Sequence, residues 1–148
     1  MEVVIVKDGK LNAIYWPLRL TYGLVPLLAG LDKYVGLLAD WKSYLSPTAA
    51  SLLPMAPSTF FHAVGVVEIA VGLAVLAGAT RLGALAASGW LVVISLDLVL
   101  GGFFDVAVRD LAMAVGAYSL ASVAALRGEA FVPHLGSVAP PAAHAHSG

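Results

Sequence analysis

Glu68 stands near the middle of an apolar run, Phe60 to Ala79, that is long enough to cross a bilayer as a helix. A carboxylate at that depth costs roughly 2.5–3.5 kcal/mol on insertion-type scales, so such a residue faces a bundle interior and finds a partner. The other ionisable residues group by depth. Asp32 and Lys33 lie near the end of the first apolar run, and Asp97 lies in the last third of the third. His62 precedes Glu68 by about 9 Å of helix rise. Asp105, Arg109 and Asp110 open the fourth run. Acid, imidazole and cation together can pair as ions, pass protons, or hold the polar head of an apolar ligand. If they converge, Glu68, His62, Asp97, Arg109, Asp110, Asp32 and Lys33 form one outward-facing pocket with Glu68 at its floor. Two other readings compete: ion pairs that lock the helices together, and side chains that snorkel to the interface. Asp105 and Arg109 are spaced i,i+4 and can meet on one helix face. The spacing predicts Arg109 bound to Asp105, or across helices to Asp97 or Glu68.

Several chemistries are absent from the 148 residues. There is no cysteine, which removes disulfides, thiol relays and cysteine-held clusters. His62 is the only histidine near an apolar run, so a bis-histidine haem has no second ligand. His134, His144 and His146 lie in or near the C-terminal tail, where His144-x-His146 reads as flexible chain before it reads as a metal site. No zinc spacing, phosphate loop or nucleotide fingerprint is present. No metal and no intrinsic cofactor are expected. The net charge of −1 gives no reason to expect nucleic acid.

The elements that must position the polar residues are membrane helices. Hydrophobic residues make up 60% of the chain and charged ones 11%, against about 25% charged in soluble domains. Four runs approach the ~20 residues a crossing needs: about 15–38, 58–79, 82–101 and 106–126. No period-2 alternation is sustained, so a β-barrel is not expected. Trp16 and Tyr34 are separated by roughly 27 Å of helix, a plausible spacing for two interfacial belts. Trp90 falls in mid-span and reads as packing. The expected fold is all-α, a membrane four-helix bundle in contact with the lipid bilayer.

Around this bundle, residues 1–13 read as an N-terminal surface segment, with Val3 to Lys10 compatible with a strand and turn. Residues 14–127 form the transmembrane domain, and 128–148 an Ala/Pro/His-rich flexible tail. The loop 39–57 carries Pro47, Pro54 and Pro57 and is expected to be a structured cap with one short helical turn. The link around Gly78 to Arg81 is tight. A cleavable signal is a poor reading, because the first run contains Arg19 and lacks a small-x-small site. Small-xxx-small ridges are expected to bring helices close: Ala70, Ala74 and Gly78; Ala84 and Ser88; Ala117, Ala121 and Ala125.

Three stretches resemble the DoxX-like family of small membrane proteins. They are Glu68-Ile69-Ala70-Val71-Gly72 continuing to Arg81, Arg109-Asp110-Leu111-Ala112-Met113, and Leu18-Arg19-Leu20 with Gly30-Leu31-Asp32-Lys33-Tyr34. The resemblance covers about Pro17 to Leu126. It implies a four-helix membrane bundle whose polar positions are Arg19, Glu68, Arg81, Arg109 and Asp110. Some members are associated with thiosulfate oxidation coupled to quinone, others with thiol or oxidative-stress complexes. The missing cysteines set this chain apart from dithiol-bearing relatives. The expectation is therefore a subunit of a respiratory or oxidoreductase complex in the plasma (inner) membrane, contacting quinone, with electrons supplied by a partner subunit. The alternatives are a structural membrane anchor or assembly subunit of such a complex without ligand, and a small proton-coupled transporter, for which no inverted repeat is evident; a homo-oligomer is compatible with each.

Four crossings put Lys7, Lys10, Arg19, Arg81 and Arg127 on one side and Lys33, Lys42 and Arg109 on the other. The positive-inside rule then makes both termini cytoplasmic. Reporter fusions at either terminus should read the cytoplasm, and fusions within 43–55 the opposite side. Termini on opposite sides would overturn this topology.

Overall fold

Helix α1 runs Gly9–Val35 in a computed structural model that describes residues 9–131. Val3 to Asp8 of the expected strand and turn, and His134, His144 and His146 of the tail, lie outside the described residues, while Gly9 and Lys10, expected in that turn, instead open α1. Pro17 and Pro26 fall inside α1 and each removes one backbone donor, so the helix bond that Tyr22 carbonyl would accept from residue 26 is missing. The helix stops at Gly36, whose φ of 72° is open to glycine without strain. The connection then makes a 3₁₀ turn, Trp41–Tyr44, and a short helix α2, Pro47–Leu52. Ser46 caps α2 by accepting from the Ala49 N–H, with Pro47 at the first helical position.

Three long helices follow: α3 (Pro57–Ala77), α4 (Thr80–Leu100) and α5 (Phe104–Leu126). Gly78 ends α3 in the left-handed conformation, with φ 110°, so the turn into α4 takes only two residues. α3, α4 and α5 are each long and apolar enough to cross a membrane. α1 is longer, but it carries Lys10, Arg19, Asp32 and Lys33. Among the described residues there is no strand, and the chain is an all-α membrane protein.

Small residues decide which helices touch. α1 lies antiparallel to α3 and approaches it at two glycine pairs. A Cβ on Gly72 would come within 2.6 Å of the Gly23 carbonyl oxygen, and one on Gly30 within 2.7 Å of the Gly65 carbonyl oxygen. Lipid gives helices no hydrophobic drive to associate, so close backbone contact supplies the attraction. The ridge expected at Ala70, Ala74 and Gly78 is not this interface: Ala70 is exposed, and the contact runs along Gly65 and Gly72 one face over. α4 and α5 form the second antiparallel pair. Ala84, Ala117 and Ala124 are fully buried, and Ser88 Oγ and Ser95 Oγ donate to the carbonyls of Ala114 and Ala107 at 2.9 and 2.8 Å.

The two pairs meet mainly at the end that holds the α3–α4 turn. The core cluster of Tyr15, Tyr22, Val75, Ala84, Ala117 and Leu120 lies in that half. There Arg19 donates to the carbonyls of Val75 and Leu76, at 3.0 and 2.8 Å, placing a cation on the negative end of α3. It also donates to the Tyr15 hydroxyl, which lies 3.1 Å from Thr80 Oγ1. A Cβ at Gly116 would collide with the Tyr22 hydroxyl. Toward the capped end the facing residues are larger (Phe60, Phe61, Trp90, Tyr44) and the pairs part around a cavity.

Overpacking a close helix contact costs about 1–3 kcal/mol. Gly72→Ala should therefore lower the melting temperature in detergent clearly, whereas Gly89→Ala, with no neighbour within 4 Å of its Cβ, should leave it unchanged or raise it. Equal effects from the two would overturn the glycine-contact account.

Candidate functional site

The cavity between the pairs has a volume of about 550 Å³ and is roofed by the capping loop. This lies within the range of roughly 300–1,000 Å³ typical of ligand sites, which are mostly apolar with a few placed polar groups. Its walls fit that description. The apolar lining comes from all four long helices and from Trp41, Tyr44 and Leu45 of the cap. The ionisable groups on the wall are Lys33, Glu68, Asp97 and Asp110, one from each long helix.

Glu68 reaches the wall from α3 and is met by Lys33 of α1. Lys33 Nζ is 2.5 Å from Glu68 Oε2, and the two side chains are only 3% and 10% exposed. The lysine stem reaches back along α1 beside Gly65, where the absence of a side chain leaves it room. The ammonium also sits 3.8 Å from the centre of the Trp41 ring, a cation–π contact that helps hold the charge out of water. Both charges are thereby compensated.

Asp32, the neighbour of Lys33, does a different job. Its carboxylate accepts from the Leu37 and Leu38 N–H groups at 2.7 and 2.9 Å and from Trp41 Nε1 at 2.8 Å. It thus folds the chain leaving α1 back over the helix end and fixes the indole that covers Lys33. Asp97 is also structural in its contacts: it accepts from Ser46 Oγ and from the Ser46 N–H, strapping the cap to α4.

Asp110 lies about 9 Å inside α5 and is partly buried on the wall, without a hydrogen bond or ion pair among the described residues. Trp90 on α4 lines the same cavity. Its Nε1–H is buried and likewise has no partner among the described residues. A buried donor left unmade costs about 1–3 kcal/mol, so it marks a place where an acceptor belongs.

The structure therefore brings Lys33, Glu68, Asp97 and Asp110 to one cavity, with Asp32 behind its roof. His62 is outside: it is exposed, its ring stacks on Tyr34 at 4.8 Å, and it borders a second cleft. Arg109 is outside too. It faces away with Asp105 at 3.8 Å, both side chains about three-quarters exposed. Sequence reasoning passed over Trp90, Trp41 and Ser46. The available signal was Trp90 itself, an indole at mid-span, far from the interfaces where its N–H would find water.

A protein-family model described as DoxX matches residues 15–99, from the apolar part of α1 to the end of α4. No curated protein and no solved structure gives a match.

The geometry separates the two ion pairs. Lys33→Met leaves Glu68 as an uncompensated buried charge and should destabilise by about 3–5 kcal/mol, and adding Glu68→Gln should recover much of it. Arg109→Met removes an exposed pair and should cost under about 1 kcal/mol. Thermal unfolding of the three variants checks this, and a Lys33→Met protein that melts like the parent would overturn it.

Proposed function

The chain belongs to the DoxX family, a family of small membrane proteins, and on that premise we propose that it is a membrane subunit of an oxidoreductase complex whose cavity holds the head group of a quinone. The observation that carries this reading is the buried Trp90 Nε1–H, without a partner among the described residues, on a residue of the mostly apolar cavity wall. A quinone offers flat apolar area for such walls and a carbonyl oxygen for the indole donor. Asp110 supplies a second polar contact: protonated, it donates to a carbonyl; ionised, it accepts from the hydroxyl of the reduced form.

The route in is lipidic. Val25 and Val93 line the cavity and are 41% and 56% exposed, so on this reading a lipid-soluble ligand enters past them and leaves its tail there. We place α1 across the bilayer with the other three helices. Its outward stripe of Leu20, Leu24, Leu28, Leu31 and Val35 is exposed and apolar along the helix, as a lipid-facing side requires. Four crossings then set the cavity near the outer leaflet, with both termini in the cytoplasm of the cell's plasma membrane. Electrons come from a partner subunit, since the chain offers no metal cluster among the described residues and no cysteine.

Protein purified in mild detergent should carry quinone that solvent extraction and mass spectrometry detect. Trp90→Phe, which keeps the ring and loses the donor, should lower the bound fraction by about tenfold, the worth of one well-placed hydrogen bond. Absence of quinone from the parent, together with a stable assembly with other subunits, would replace this reading with that of a structural anchor.

A further inference from the structure

Two cavities meet at Lys33. The first is the apolar chamber between the helix pairs. The second, of about 400 Å³, is a polar cleft on the capped face, bordered by exposed Asp40, Lys42 and His62. Trp41 and Phe61 stand in the partition between them. Lys33 is the one ionisable residue that lines both. Its Nζ touches Glu68, which lines only the chamber, and Glu68 shares that wall with Asp110.

We propose that the Lys33–Glu68 pair is a proton junction between the chamber and the cleft. The inference rests on the chamber being a ligand site. A proton leaving a chamber acid, Asp110 or a bound hydroxyl, is taken by the Glu68 carboxylate. The Lys33 ammonium releases a proton to a water molecule entering from the cleft, and the Glu68 proton crosses the 2.5 Å contact to the free amine. One proton has then moved from chamber to cleft and the pair has regained its charges. The reverse sequence delivers one to the chamber.

The surroundings leave this route open and close the others. Asp32 has its oxygens occupied by backbone and indole donors. Asp97 is bound to Ser46. Arg109 and Asp105 face outward. On the cleft side His62 is an imidazole, the usual proton carrier near neutrality, at the cleft's edge. A pair that served stability alone would need only opposite charges. This one spans a partition, and its cation is a lysine, which can release its proton, where an arginine cannot.

The test uses the full chain in lipid nanodiscs without added quinone, so the result does not depend on whether the chamber binds quinone. Infrared spectroscopy follows deuteration of the Asp110 carboxyl after a change to heavy water, at a pH acid enough to populate that form. The band is assigned by its loss in Asp110→Asn. Lys33→Arg keeps the charge and the pairing but withholds the proton, so it should keep the parent's melting temperature and slow Asp110 deuteration by about tenfold or more. Glu68→Gln, which removes the acceptor, should slow it similarly. Parental exchange in Lys33→Arg would show the pair to be a lock and overturn the proposal. So would parental exchange in Glu68→Gln, should the arginine variant not fold, or an Asp110 that takes up no proton at any pH.

Discussion

Inside a bilayer, apolar side chains gain nothing by leaving lipid for one another, so helices associate where their backbones can come close. The architecture follows from where this chain places its small residues. Gly23, Gly30, Gly65 and Gly72 bring α1 against α3, and alanines and serines do the same for α4 and α5. The two pairs then share one end, where Tyr15, Arg19 and Thr80 fill the gap with hydrogen bonds. At the other end Phe60, Phe61 and Trp90 hold them apart. The chamber is therefore a consequence of residue size rather than a defect in packing.

Burying charge beside that chamber is costly, and Lys33, Glu68, Asp32 and Asp97 are each met with compensation. Lys33 and Glu68 neutralise each other, with Trp41 over the ammonium. Asp32 gathers N–H donors from the loop, and Asp97 binds the Ser46 cap. On the chamber wall, Asp110 and the Trp90 indole have no partner among the described residues.

Much of the fold was legible in sequence because membrane constraints are severe. Run length, proline positions and Gly78 place α3, α4, α5 and the cap close to where they occur. Which face each helix turns inward was less legible. With apolar residues all round α3, periodicity could not choose between the Ala70–Ala74 face and the Gly65–Gly72 face, and the structure uses the latter. The site was partly readable for the same reason. Glu68 had to have a partner, but Arg109, Lys33 and Asp97 were all within range by depth, and azimuth decides among them. Arg109 turns to the outer surface of the bundle with Asp105, which the i,i+4 spacing allowed. Trp90 looked like packing because an indole fills space well, and its unpartnered donor is visible only when the neighbouring helices are in place.

The Arg19 clamp on the carbonyls of Val75 and Leu76 has a mechanical meaning. It fastens α1 to the end of α3, and Tyr15 beside it binds Thr80 of α4, while at the opposite end the cap is tied to the second pair through Ser46–Asp97 and the Tyr44–Phe103 contact. The segment 36–56 therefore does two things at once: it spans from one helix pair to the other, and its Trp41, Tyr44 and Leu45 close the chamber between them.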